Sequence, residues 1–149
     1  MRHAEEPADP KDPDLSEAGR RRADQLATYI STRFGTPDFL ISAAANKLSA
    51  RALLTLRPLS HAIEAQIDTS FKSRRYVPLT EKLLSDTAYK RSLVVICWTH
   101  IELPSLADAL SAESRDYPHP WREEVFNLIL QFDYDKRHRL TVTKVVQPF

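Results

Sequence analysis

Arg2 and His3 stand side by side, and Glu5 follows two residues later. A second arginine, Arg51, and a second histidine with an acid beside it, His100 and Glu102, lie at two further places in the chain. A neutral imidazole is a nucleophile, a guanidinium is a permanent cation whose fork of donors matches an oxyanion, and a carboxyl group moves protons. Together these types suit the binding of an anion and attack upon it. Glycine is scarce, with only Gly19 and Gly35 among 149 residues. A G-x-G-x-x-G dinucleotide loop and a G-x-x-x-x-G-K phosphate loop are therefore both excluded. Any phosphate bound here is held mainly by side chains. Metal chemistry has little support: the five histidines form no H-E-x-x-H and there is no C-x-x-C. The expectation is no metal and no cofactor.

The elements that must position these residues alternate between two patterns. Residues 5–14, with Pro7, Pro10 and Pro13, read as a loop. Ser16 suits an N-cap for a helix over 17–33, whose apolar positions Ala23, Leu26, Ala27, Ile30 and Phe34 recur at helical spacing. Gly35 and Pro37 stop it. Residues 38–42 read as a buried strand and 50–65 as a helix broken at Pro58. A short helix is expected over 79–84 and a helix over 103–110, with Pro104 in its first turn. The run 92–98 is the clearest strand, apolar throughout, as expected where both sheet faces are covered. Residues 125–132 and 139–146 suggest a hairpin around 133–138. The alternation predicts an α/β layered fold in one domain over residues 1–149. In such sheets ligands bind beyond the carboxyl ends of strands, which is where Arg2-His3, Arg51 and His100 can converge.

Bulk properties narrow the partners. The net charge is +1, with 42% hydrophobic and 28% charged residues, an ordinary globular balance. This charge points to neither nucleic acid nor a membrane surface. No apolar run reaches the roughly 20 residues of a spanning helix, and the start lacks an apolar signal segment. The lone Cys97 suits a reducing, cytoplasmic location.

Four segments carry a resemblance to the histidine phosphatase superfamily, also called phosphoglycerate mutase-like. They are Arg2-His3-Ala4-Glu5, Leu15-Ser16-Glu17-Ala18-Gly19 with Arg22-Ala23, Ser49-Ala50-Arg51 with Ala52 to Leu56, and Val95 to Pro104 around His100. The resemblance implies a three-layer α/β/α fold, a mostly parallel sheet with a C-terminal hairpin. It implies a phosphatase for a phosphate monoester, acting without metal through a phosphohistidine on His3. Arg2 and Arg51 would clamp the phosphoryl oxygens, and His100 would add a hydrogen bond. Glu102 is the first candidate for the acid and Glu5 the second, the family more often using the latter to orient the loop. The implied partner is a phosphorylated small molecule; oligomeric state is open. A catalytically inactive relative that binds phosphorylated ligands or a protein is the alternative.

Two departures from the family pattern matter. Ile101 stands where the family usually has Gly after the second histidine, so either the loop takes another path or the pocket is narrowed. Met1 stands directly before Arg2, where the family has an apolar strand, so the domain is expected to be short of its first strand. Blander readings also hold at several positions. Arg2-His3 alone would be a solvated dipeptide, Arg51 a solvated helix residue, His100 a structural histidine and Glu102 a helix cap. Arg20-Arg21-Arg22 reads as a solvated helix face, Asn46 and Lys47 as exposed loop, and Cys97 and Trp98 as core. His61, His119 and His138 read as surface residues.

Overall fold

The computed structural model describes residues 1–149. It contains helices α1 (Glu17–Phe34), α2 (Arg51–Ala62), α3 (Tyr76–Ser85) and α4 (Leu103–Ala109). The strands are β1 (Phe39–Ser42), β2 (Ile67–Asp68), β3 (Val94–Cys97), β4 (Leu128–Tyr134) and β5 (Leu140–Val146). No helix is long and apolar enough to cross a membrane. The central sheet is parallel in the order β2-β1-β3, with Leu40 opposite both Ile67 and Val95. A separate antiparallel hairpin pairs β4 with β5. From β1 the chain crosses by α2 to β2 on one side, then returns by α3 to β3 on the other. Right-handed crossovers in opposite directions put α2 and α3 on opposite faces of the sheet. α1 packs on α2 and α4 on α3, which makes three layers.

The core joins these layers. Leu26 and Ile30 of α1, Leu56 and Leu59 of α2, Leu40 and Ile41 of β1, and Leu103 and Leu106 of α4 belong to one buried cluster. Trp98 is fully buried within it, and its indole nitrogen donates to the Ser73 carbonyl at 2.9 Å.

The expected break at Pro58 does not occur: α2 runs through it. Proline removes one helical hydrogen bond, but the fully buried Leu56 and Leu59 on either side hold the helix against the sheet. The third helix is longer than expected and starts at Tyr76, because Pro78 lies in its first turn where amide groups have no helical partner. The two-residue strand β2 leaves too short a pattern to find. The hairpin begins at Leu128 rather than at Val125, because Val125 and Phe126 leave the strand direction.

The opening residues occupy the edge that the sequence left empty. The Met1 nitrogen donates to the Ile96 carbonyl at 2.9 Å, the Trp98 amide to the Met1 carbonyl at 2.9 Å, and the His3 amide to the Trp98 carbonyl at 3.1 Å. Met1 to His3 thus form a short parallel extension beside β3, with Arg2 bridged to Trp98. All three side chains are buried.

The Leu15–Gly19 motif holds the loop after His3. Ser16 caps α1, its hydroxyl accepting from the Gly19 amide at 3.0 Å, and the Ser16 amide donates to the Glu5 carbonyl at 3.0 Å. Glycine at position 19 is a matter of space. A Cβ there would stand 2.4 Å from the Glu5 carbonyl oxygen, a contact that backbone on both sides cannot relieve. Gly19→Ala is expected to cost about 1–3 kcal/mol of stability, the range for overpacking, measured by urea denaturation. An unchanged midpoint would show that the Glu5 backbone is not packed on α1 in this way.

Candidate functional site

The site lies beyond the carboxyl ends of the Met1–His3 extension, β1 and β3, as the alternation predicted. Each side chain has a separate anchor. The Ala4 amide donates to Thr55 Oγ1 at 2.9 Å, and that hydroxyl donates to the Arg51 carbonyl at 2.8 Å. One threonine on α2 therefore ties the His3 loop to the start of the helix that carries Arg51. Arg51 Nε donates to the Asp14 carbonyl at 3.1 Å and Nη2 to the Asp12 carbonyl at 2.6 Å. Carbonyls of the proline-rich loop thus fix this guanidinium.

Arg2 is fixed from the opposite side. Its Nη1 donates to the Glu123 carbonyl, and its guanidinium carbon lies 3.8 Å from the centre of the Phe126 ring. A buried guanidinium over an aromatic face gains a favourable cation–π term. This explains why residues 125–126 depart from the hairpin.

His3 is 3% exposed, and its Nδ1 lies 2.8 Å from the Ala4 carbonyl oxygen. A carbonyl only accepts, so the proton is on Nδ1 and the Nε2 lone pair is free. Burial first, then the charges of Arg2 and Arg51, push its pKa down from 6.5 to about 4, against the raising effects of the Ala4 carbonyl and Glu6. The imidazole is therefore neutral at pH 7. The His100 ring lies 6.3 Å from the His3 ring, centre to centre, with Nδ1 buried and unpartnered. Burial, then Arg2, lowers its pKa as well.

The carboxylate at the centre of this group is Glu6, which the sequence reading did not single out. It lies 2.8 Å from Arg2 Nη2, 3.3 Å from Arg51 Nη1 and 3.6 Å from His3 Nε2. Burial alone would raise the Glu6 carboxyl; the neighbouring His3 ring, the charges of Arg51 and Arg2 and the hydrogen bond from Arg2 outweigh it and hold it below the usual carboxylate value.

The two acids picked from the sequence are held by other partners. Glu5 takes both Nε and Nη2 of Arg22 at 2.8 Å on its Oε1. Glu102 occupies the N-cap position of α4 without making a capping hydrogen bond, and Arg74 is its ion-pair partner at 3.8 Å. Arg22 in turn donates to Gln147 Oε1 at 3.0 Å and to the Phe149 carbonyl, so it fastens the loop after His3 to the end of the chain. The solvated reading of the arginine run holds for Arg20 and Arg21 and fails for Arg22. Helical spacing carried the signal, since position 22 adjoins the buried face of Gly19, Ala23 and Leu26.

Ile101 is 73% exposed and does not take the positive φ that would favour glycine. Its loop takes a path open to a β-branched residue, and its side chain does not fill the pocket. Lys47 is exposed, and Asn46 caps its own turn by accepting from the Leu48 and Ser49 amides at 2.8 and 3.2 Å. Cys97 is buried, and burial pushes its thiol up to about 12. His61, His119 and His138 are exposed.

Ligand atoms of His3, Glu6 and His100 fall within 4.8 Å of one another, a set of the type that can hold a divalent cation. Two guanidiniums on the same carboxylate oppose a cation there. The excess positive charge favours an anion.

A proton titration of the His3 ring tests this electrostatic account. Because the folded pKa lies below the 6.5 of the free ring, the unfolded chain takes up the proton first as pH falls from 6.5 to 4, and stability supplied by neutral His3 is lost over that window. The expected midpoint by NMR is about 4. A midpoint near 6.5 would contradict burial beside two guanidiniums.

The chain matches no family model and no curated protein. Solved structures do match. One is a protein classed as phosphohistidine phosphatase SixA from Agrobacterium tumefaciens, with TM-score 0.62 and 21% identity over 98% of this chain and 95% of that one. A mycobacterial glucosyl-3-phosphoglycerate phosphatase in complex with inorganic phosphate gives TM-score 0.62 and 16% identity, over 95% and 92% of the two chains. A histidine-to-alanine variant of the Entamoeba histolytica phosphoserine phosphatase, in complex with phosphoserine, gives TM-score 0.60 and 16% identity over the same shares. With its parallel sheet, four helices and C-terminal hairpin, this chain has the fold of the histidine phosphatases, the phosphoglycerate mutase-like fold.

Proposed function

We propose that this protein is a phosphatase that hydrolyses a phosphate monoester through a phosphohistidine on His3. One observation carries the reading. His3 is buried, neutral and locked by the Ala4 carbonyl in the tautomer that leaves Nε2 free, between two fixed guanidiniums. Phosphoryl transfer asks for little besides position and charge stabilisation, and this arrangement supplies both.

The steps follow from the geometry. Arg2 and Arg51 clamp the non-bridging oxygens, and His100 donates one further hydrogen bond. The Nε2 lone pair attacks phosphorus in line with the ester bond, which breaks with its electron pair on the leaving oxygen. The ring gains positive charge as the P–N bond forms, and the Nδ1–H donated to Ala4 spreads it. Glu102 protonates the leaving oxygen in this reading, because Glu5 is committed to Arg22 while Glu102 has only a long contact with an exposed arginine. Water then attacks phosphorus as the Glu102 carboxylate takes one of its protons, the P–N bond breaks, and its electron pair returns to Nε2, leaving inorganic phosphate and both side chains in their starting states.

The three similar structures carry names with three different substrates, so the fold does not choose among them. The two guanidiniums supply the charge that a metal would otherwise bring, which supports action without metal. A lone buried thiol supports a reducing, cytoplasmic setting.

Turnover of a generic aryl phosphate by wild type and His3→Ala tests the reading. The expected result is loss of at least a thousandfold in kcat for His3→Ala, with the fold intact by circular dichroism. Equal rates would remove His3 from the nucleophile role. Phosphate binding without turnover in wild type would favour the inactive, phosphate-binding relative.

A further inference from the structure

The loop that follows His3 turns one of its own carboxylates back into the site. Glu6 touches Arg2, Arg51 and His3 with its two oxygens: Oε1 faces Arg2 and Nε2 of His3, and Oε2 faces Arg51. These are the contacts that the oxygens of a bound phosphoryl group would make, since a guanidinium presents the same fork to either anion. The partners differ in freedom. The Arg2 and Arg51 side chains are 1% and 9% exposed, whereas that of Glu6 is 31% exposed. Each arginine is also held by groups other than Glu6: Arg2 by the Glu123 carbonyl and the Phe126 ring, Arg51 by the Asp12 and Asp14 carbonyls. The cations are therefore fixed without the carboxylate, and the carboxylate has an open side through which to leave.

We propose that Glu6 is a built-in occupant of the anion seat, displaced by the incoming phosphoryl group and returning when inorganic phosphate departs. The inference rests on the phosphate reading above. In the free protein, Glu6 keeps two buried guanidiniums from being left wholly uncompensated, a state that is costly in the interior. Being tethered, it competes at a high effective concentration whatever the bulk composition. A single carboxylate in solution offers nothing that Glu6 does not already supply. A phosphoryl dianion brings more charge and a third oxygen, so Glu6 filters the seat in favour of phosphate. Its return opposes retention of the product.

Calorimetric titration of inorganic phosphate into wild type, Glu6→Gln and Glu6→Asp tests this. Glu6→Gln keeps the shape and removes the competing charge, and is expected to bind phosphate at least tenfold more tightly, equivalent to about 1.4 kcal/mol. Glu6→Asp, shorter by one methylene, is expected to fall between the two. Equal or weaker binding by Glu6→Gln would overturn the inference while leaving the phosphate site standing. Absence of phosphate binding in all three would overturn it together with the phosphatase reading. Should Glu6→Gln fail to fold, Glu6→Asp decides alone: it must bind more tightly than wild type, and equal or weaker binding overturns the inference.

Discussion

Arg2 and Arg51 are both buried, and the carboxylate of Glu6 is the only acidic group within ion-pair distance of either. Two cations against one anion leave a positive excess around two guanidiniums withdrawn from water, where charge interacts strongly. Much of the site's behaviour follows from that imbalance. It adds to burial in keeping His3 and His100 neutral, which makes a lone pair available on a ring that solvent would otherwise protonate more readily. It makes a cation an unwelcome guest among His3, Glu6 and His100, and makes an anion a welcome one. Carbonyls of residues 12, 14 and 123 and the face of Phe126 meet most of the remaining guanidinium surface, and Arg2 Nε alone is buried without a hydrogen-bond partner.

Position comes from backbone and small side chains, not from the charges. Residues 1–3 pair along β3, so His3 inherits the rigidity of the sheet. Thr55 then joins the Ala4 amide to the Arg51 carbonyl, so the loop that carries His3 is tied to the helix that carries Arg51. Gly19 brings α1 hard against the Glu5 backbone, and Arg22 reaches from the same helix to Glu5 and to the final residues. The L-S-x-x-G motif is thus a brace for the loop after His3 and makes no contact with the anion seat.

The sequence was legible where periodicity or a stop signal was strong. The helix from Ser16 to Gly35, the strand before Ser42 and the apolar run through Cys97 all appear within two residues of their expected bounds. These strands and helices alone imply where the site must open. Legibility failed where a neighbour distant in sequence decides the outcome. Glu5 and Glu6 are adjacent acids on an irregular loop, and nothing local says which turns toward His3 and which toward Arg22. Phe126 sits in an apolar run that reads as strand, and only Arg2 explains why it leaves the hairpin. Pro58 looked like a helix break because local backbone chemistry says so, but packing of Leu56 and Leu59 overrides it. The pairing of Met1 to His3 beside β3 was not legible because three residues are too few to show a strand pattern.

The proposed reaction requires a covalent bond between phosphorus and Nε2 of His3. Rapid quenching of the protein during turnover of a phosphate monoester, followed by mass spectrometric mapping and phosphorus NMR, looks for that bond directly. The expected result is acid-labile phosphate on His3 alone, with a phosphoramidate signature. Turnover with no trapped phosphoryl group, or with phosphate carried on a different side chain, would contradict it.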